Sequence, residues 1–95
     1  MPGKIVGTIV AYTDAGGLVT DIPHERLQTT PRDASVTVTC DEHETVGIFP
    51  PEHQQPDFTF LAILGSSGFL ELHIVGDSAK AMLGVRLGER VGVKW

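Results

Sequence analysis

From Leu64 to Leu72 the chain reads Leu-Gly-Ser-Ser-Gly-Phe-Leu-Glu-Leu: an apolar stretch, a small polar turn and a second apolar stretch. The turn residues Gly65 to Gly68 free the backbone for a tight reversal, which predicts a strand, a turn and a returning strand. Phe69 to Val75 alternates, so Phe69, Glu71 and His73 share one face. Gly76-Asp77-Ser78-Ala79 follows as a helix start, with Asp77 or Ser78 able to cap a short helix of Ala79 to Leu83. Gly84 supplies the left-handed residue that ends it. Gly88 then turns the chain into a last strand, Arg90 to Trp95. Such a succession of short elements and glycine stops suits only a fold built from short, closely connected strands.

The rest of the chain obeys the same logic. Lys4 to Tyr12 is rich in Ile, Val and Thr with period-two alternation and reads as the first strand. Asp14-Ala15-Gly16-Gly17 breaks it, and Leu18 to Ile22 resumes as a second. Pro23 opens a polar segment in which His24 to Leu27 forms one helical turn. Ala34 to Cys40 is a third strand, joined through Asp41-Glu42-His43 to a fourth, Glu44 to Phe49. Pro50-Pro51 ends it, because neither residue can donate to a ladder. After the polar loop Glu52 to Pro56, Asp57 to Leu64 is the most apolar strand and is expected to be central. Seven strands with one brief helix make the chain all-β. Closure removes exposed edges, so the expected fold is a small closed Greek-key-like barrel with the helix before the last strand.

Ninety-five residues make one domain, 1–95. A chain of this size buries roughly 60–68% of the surface its unfolded form exposes, a margin that association would widen. The net charge is −5 and the seven basic residues are scattered, which argues against a general nucleic-acid or anionic-membrane surface. No apolar run approaches the roughly 20 residues of a membrane span. The N-terminus alternates like a strand and lacks the apolar core of a signal peptide. Cys40 is the only cysteine, so no internal disulfide is available and a cytoplasmic setting is expected. Its neighbours Asp41, Glu42 and Glu44 point to a buried, inert thiol.

The candidates for chemistry each have a plainer structural role. His24, His43, His53 and His73 show no ligand spacing with one another or with Cys40, so no metal site is expected. His73 shares a face with Glu71, and a solvated or hydrogen-bonded pair is the simpler reading than an acid/base pair. Ser66 and Ser67 lie in a glycine-flanked turn, where hydroxyls satisfy turn backbone or touch a ligand; a nucleophile would also need a positioned base. Gly16-Gly17 precedes no helix of any length, so it is a turn and not a phosphate cradle. Asp77 and Ser78 either present free helix N–H groups to a polar ligand or simply cap the helix.

Three blocks in register resemble the C-terminal β-barrel domain of the S-adenosylmethionine hydroxide adenosyltransferase and fluorinase family. Gly7-Thr8-Ile9-Val10-Ala11-Tyr12-Thr13-Asp14 with Gly16-Gly17-Leu18-Val19-Thr20-Asp21-Ile22 is similar to its first strand, Asp-x-Phe-Gly-Asn-Leu turn and Thr-Asn-Ile strand. Leu64 to Leu72 is similar to its Asn/Gly-Ser-x-Gly-x-Leu-Glu strand pair. Gly76-Asp77-Ser78-Ala79 through Leu83-Gly84 to Gly88-Glu89-Arg90-Val91 is similar to its Gly-Asn-Ala helix and closing strand. The likeness runs from about Lys4 to Trp95.

The resemblance implies that an adenosyl ligand sits between this barrel and the larger α/β domain of a neighbouring subunit, commonly in a trimer. S-adenosylmethionine or adenosine is then the implied ligand, with no other cofactor. Carried over position by position, the contacts are Gly17, Ser66, Ser67, Gly76, Asp77 and Ser78. The family's reacting groups lie in the α/β domain and have no counterpart here, so no catalytic residue is assigned. The expected function is therefore a non-catalytic binding or assembly module, homo-oligomeric, with weak adenosyl recognition. The alternative is an accessory subunit that completes a site with a separate α/β catalytic chain. One departure stands out: the first turn is a residue shorter, and Gly17 occupies the place of the Asn that reads adenine. Gly17→Asn is accordingly expected to tighten such binding.

Overall fold

Residues 3–95 are described by a computed structural model of the chain. Eight strands form one sheet: β1 Lys4–Tyr12, β2 Leu18–Pro23, β3 Thr37–Cys40, β4 His43–Val46, β5 Ile48–Phe49, β6 Phe60–Leu64, β7 Phe69–Ile74 and β8 Arg90–Lys94. A 3-10 turn, His24–Leu27, follows β2, and a helix, α1 Ala79–Leu83, precedes β8. The strand order is β4-β3-β8-β1-β2-β7-β6-β5. All neighbours are antiparallel except the parallel pair β5 and β6. The all-β barrel with a short helix before the last strand is thus present.

Closure explains why there are eight strands where the sequence pattern predicts seven. Glu44 to Phe49 is one run, but Gly47 adopts φ 84° within it and breaks it into two strands. Before the corner β4 pairs with β3, and after it β5 pairs with β6, so a single segment reaches both ends of the sheet. The Thr45 hydroxyl donates to the Phe60 carbonyl at 2.9 Å and joins β4 to β6 across the remaining gap. A left-handed φ favours glycine, which lacks the Cβ that makes this conformation costly.

Alternation assigns the two faces. Ile5 and Ile9 of β1, Leu18 and Ile22 of β2, Val38 and Cys40 of β3, Leu70, Leu72 and Ile74 of β7, and Val91 and Val93 of β8 fill one apolar core. Fully burying a Leu or Ile side chain is worth about 1.5–3 kcal/mol, so these inward residues hold the barrel. Thr20 is buried among them. It lies where the β2–β7 register slips, and its hydroxyl donates to the Leu70 carbonyl at 2.8 Å and accepts from the Ile22 amide. The hydroxyl thereby meets backbone needs that the interrupted ladder leaves open.

Several strand limits differ from the sequence expectation for local reasons. Asp33 accepts the Ser35 amide in a side-chain-capped turn, so β3 begins at Thr37 and not at Ala34. Phe58 has φ 66° and is 71% exposed, which delays β6 to Phe60. Nor is β6 central: it stands second from one end of the sheet order. Its unbroken apolar run has another cause. Ala62 faces the core, whereas Leu61 and Ile63 point outward and are buried as well. Pro51 and His53 of the segment after β5 lie beside Ile63 on this face. The β6–β7 ladder runs on past Phe60 through Phe58 N–H to Val75 O at 2.7 Å and Val75 N–H to Thr59 O at 3.0 Å. Among the described residues, no helix is long and apolar enough to cross a membrane.

Candidate functional site

The outward face of β7 carries Phe69, Glu71 and His73, as the alternation requires. Glu71 is only 4% exposed although it points away from the core. Two turns account for this. Gly65 packs so closely on the Glu71 carboxylate that a Cβ there would lie 1.9 Å from its carboxyl carbon. Beside it the Ser67 hydroxyl donates to Oε2 at 2.6 Å and the Ser67 amide at 3.3 Å. Oε1 receives His73 Nε2 at 2.8 Å. Burial pushes the Glu71 carboxyl up, but the hydrogen bonds from Ser67 and His73 outweigh it and hold the group below its ordinary 4.5. The carboxylate is thus an internal anchor with its oxygens engaged.

His73 borders an open groove of about 550 Å³ on the outside of the barrel. Apolar parts come from Ala15, Pro51 and Ile63, and polar parts from His53, Asp77 and Ser78. The floor exists because β7 ends at Ile74 in a tight turn through Gly76, φ 75°, which swings Asp77 and Ser78 back over the strand end. Ser78 caps α1 by accepting the Ala81 amide at 3.2 Å, and Gly84, φ 66°, closes the other end. The Lys80 amide donates to Gly16 O at 2.8 Å, which fixes the first turn of the barrel against the helix.

The residues implied by the resemblance occupy three different places. Gly76, Asp77 and Ser78 line the groove. Gly17 lies behind it, its Cβ position 2.4 Å from His73 Cε1, and its amide donates to the Thr13 hydroxyl. Ser67 is committed to Glu71, and Ser66 is exposed beside it outside the groove lining. The helix start is largely engaged internally, since Asp77 Oδ1 accepts the Ser78 amide at 2.7 Å and Gly16 O takes Lys80. Ser67 donates to the Glu71 carboxylate, whose lowered pKa makes it a weak base, an arrangement that anchors the hydroxyl and does not activate it for nucleophilic attack.

The other histidines are spread over the barrel. Nε2 of His24 donates to Phe69 O at 3.1 Å, and Nε2 of His43 donates to Leu83 O at 3.3 Å. His53 Nδ1 accepts the Gln55 amide, and its ring meets Phe49 edge-on at 6.4 Å. No three His, Cys, Asp or Glu side chains gather closely enough to hold a metal ion among the described residues. Cys40 is buried, and burial followed by the charges of Glu89 and Asp41 raises its thiol to about 11. Pro51, His53 and Ile63 are groove residues that the motif reading does not reach. They come from an aperiodic loop and from the outer face of β6, and neither carries a spacing signal.

Comparisons extend this picture. Solved structures with the same fold include an uncharacterized conserved protein from Thermotoga maritima, 22% identical with a TM-score of 0.74. A conserved hypothetical protein from Thermus thermophilus is 21% identical with a TM-score of 0.71. The alignments take in 95% and 93% of this chain but 35% and 34% of theirs, so the chain spans about a third of their length. At these identities the likeness concerns the fold alone. No curated protein matches the sequence. Residues 7–92 match the SAM hydroxide adenosyltransferase C-terminal domain, which is nearly the whole barrel, and the chain belongs to that family.

Proposed function

We propose that this barrel is a non-catalytic binding and assembly module that holds one side of an adenosyl ligand. The observation that carries the reading is the groove on the outer face of β7. Its volume of about 550 Å³ and its mixed lining suit a small molecule with flat apolar and polar parts. Gly76, Asp77 and Ser78, three of the contacts implied by the family likeness, border it. The groups presented there recognise and orient: the Glu71 carboxylate is buried behind the wall and the Ser67 hydroxyl is bound to it. An open groove gives one wall of a site, so recognition by the barrel alone is weak, millimolar to high micromolar. A homo-oligomer, a trimer by analogy with the family, supplies a facing surface.

A second reading is favoured by the length of the solved relatives, of which the chain spans 35% and 34%. In it, an α/β domain on a separate chain supplies the opposite wall and the reacting groups.

Adenosine titrated into isotopically labelled protein tests the first reading. Amides of Ala15, His53 and His73 to Ser78 are expected to shift together. Shifts confined to other surfaces, or none at several millimolar adenosine, would refute it. Incubation with S-adenosylmethionine separates the two readings: the barrel alone is expected to release adenosine no faster than a blank. Release that appears on adding an α/β chain would establish the second.

A further inference from the structure

His73 is held from two sides. Glu71 Oε1 takes its Nε2 at 2.8 Å, and Gly17 lies over the face of the ring at Cε1. A carboxylate can only accept, so the proton in the Glu71–His73 bond belongs to Nε2. In a neutral imidazole the other nitrogen, Nδ1, is then a lone-pair acceptor. Among the described residues no N–H or O–H donates to Nδ1, although the side chain lines the groove and keeps 23% of its surface exposed. The tautomer is therefore set by a buried anchor, while the ring offers one unused acceptor beside a ligand-sized space.

We infer that His73 is the specificity-determining residue of the groove: Nδ1 accepts a hydrogen bond from an N–H or O–H of the bound molecule. The inference rests on the reading of the groove as a ligand site. It goes beyond that reading in naming the chemistry selected, a flat ligand that carries a donor at its edge. Glu71 acts as a positioning residue, since it fixes which nitrogen is free but does not border the groove. Gly17 serves the same end by leaving room for the ring, because any side chain there would displace it.

The test compares adenosine with purine riboside, which has hydrogen in place of the 6-amino donor, at about pH 8, where an ordinary imidazole is neutral. Wild-type protein is expected to bind purine riboside about tenfold more weakly, the effect of one lost hydrogen bond. In His73→Phe the two ligands are expected to bind equally; in His73→Gln, which retains an acceptor, a preference for adenosine is expected to persist. Because His73→Phe leaves Glu71 short of a partner and could fail to fold, the wild-type comparison and His73→Gln are decisive without it. Nitrogen shifts of the His73 ring in unliganded protein give a readout independent of any ligand. They are expected to show a protonated Nε2 and a bare Nδ1, and the opposite tautomer would overturn the inference. Equal binding of both nucleosides by wild type, with groove amides shifting, would also overturn it and leave the ligand site intact. Absence of any groove shift with adenosine would remove both.

Discussion

Gly17 and His73 occupy complementary halves of one volume: the site of a Cβ on Gly17 lies 2.4 Å from His73 Cε1, 2.7 Å from Nε2 and 2.8 Å from Nδ1. This reverses the expectation that an Asn at position 17 would improve adenosine binding, because the space for that amide is filled by imidazole. Gly17→Ala is expected to destabilise the barrel by about 1–3 kcal/mol, the usual cost of overpacking, and Gly17→Asn by at least as much. Chemical denaturation measures the loss. Adenosine affinity in Gly17→Asn is expected to fall; a tighter complex in a folded variant would contradict the packing argument.

Gly65 has the same relationship with Glu71, at still shorter range, 1.9 Å to the carboxyl carbon. Gly65→Ala is therefore expected to cost more than Gly17→Ala, since the carboxylate it displaces is anchored to Ser67 and His73. Equal midpoints for the two variants in urea would show that the Glu71 anchor is softer than its contacts imply.

Replacing Glu71 itself gives a pH signature. The carboxyl is lower in the folded protein than its ordinary 4.5: burial pushes it up, and the hydrogen bonds from Ser67 and His73 more than offset this. A depressed carboxyl stabilises the fold fully above the unfolded value, and that contribution is lost as pH falls through the folded value. Relative to Glu71→Gln, wild type is thus expected to lead by about 1–3 kcal/mol near neutral pH, with the lead shrinking only below about 4.5. A difference that stayed constant down to the acid transition would exclude the anchor as its source.

Ser78→Ala removes the cap of α1 and is expected to cost about 1 kcal/mol. The effect should be local, with faster amide exchange at Ala81 and little change in the β1 and β8 amides. Because Ser78 also borders the groove, adenosine affinity is expected to weaken modestly in the same variant.

The sequence discloses these parts unequally, for physical reasons. The Ser78 cap, the Gly84 stop and the shared face of Glu71 and His73 follow from short-range periodicity, and all are present. The strand split at Gly47 depends on closure of the barrel, and its neighbours Val46 and Ile48 give no local sign of it. The apolar run Phe60 to Leu64 points to a central strand because burial on both faces looks the same whether a second layer is a sheet or a loop. Here Pro51 and His53, from the loop after β5, are what lies beside Ile63. Ser67 and Gly17 are legible as turn residues, but what they enclose, the Glu71 carboxylate four residues on and the imidazole of the distant His73, is decided by side-chain packing. His53 and Pro51 reach the groove by the path of an aperiodic loop, which no spacing rule describes.

The corner at Gly47 has a mechanical consequence. Along the gap between β4 and β6 the wall is joined by the covalent chain and by the Thr45–Phe60 hydrogen bond, where the other strand neighbours share backbone ladders. Separating the two ends there breaks few contacts, whereas parting β1 from β8 breaks a continuous five-residue register. Fluctuations of the barrel should therefore concentrate along this line, and the cylinder should loosen lengthwise there before it melts. The groove borders the neighbouring outer face through Ile63 of β6 and His73 of β7, so the pliant side of the molecule is also the side offered to a ligand.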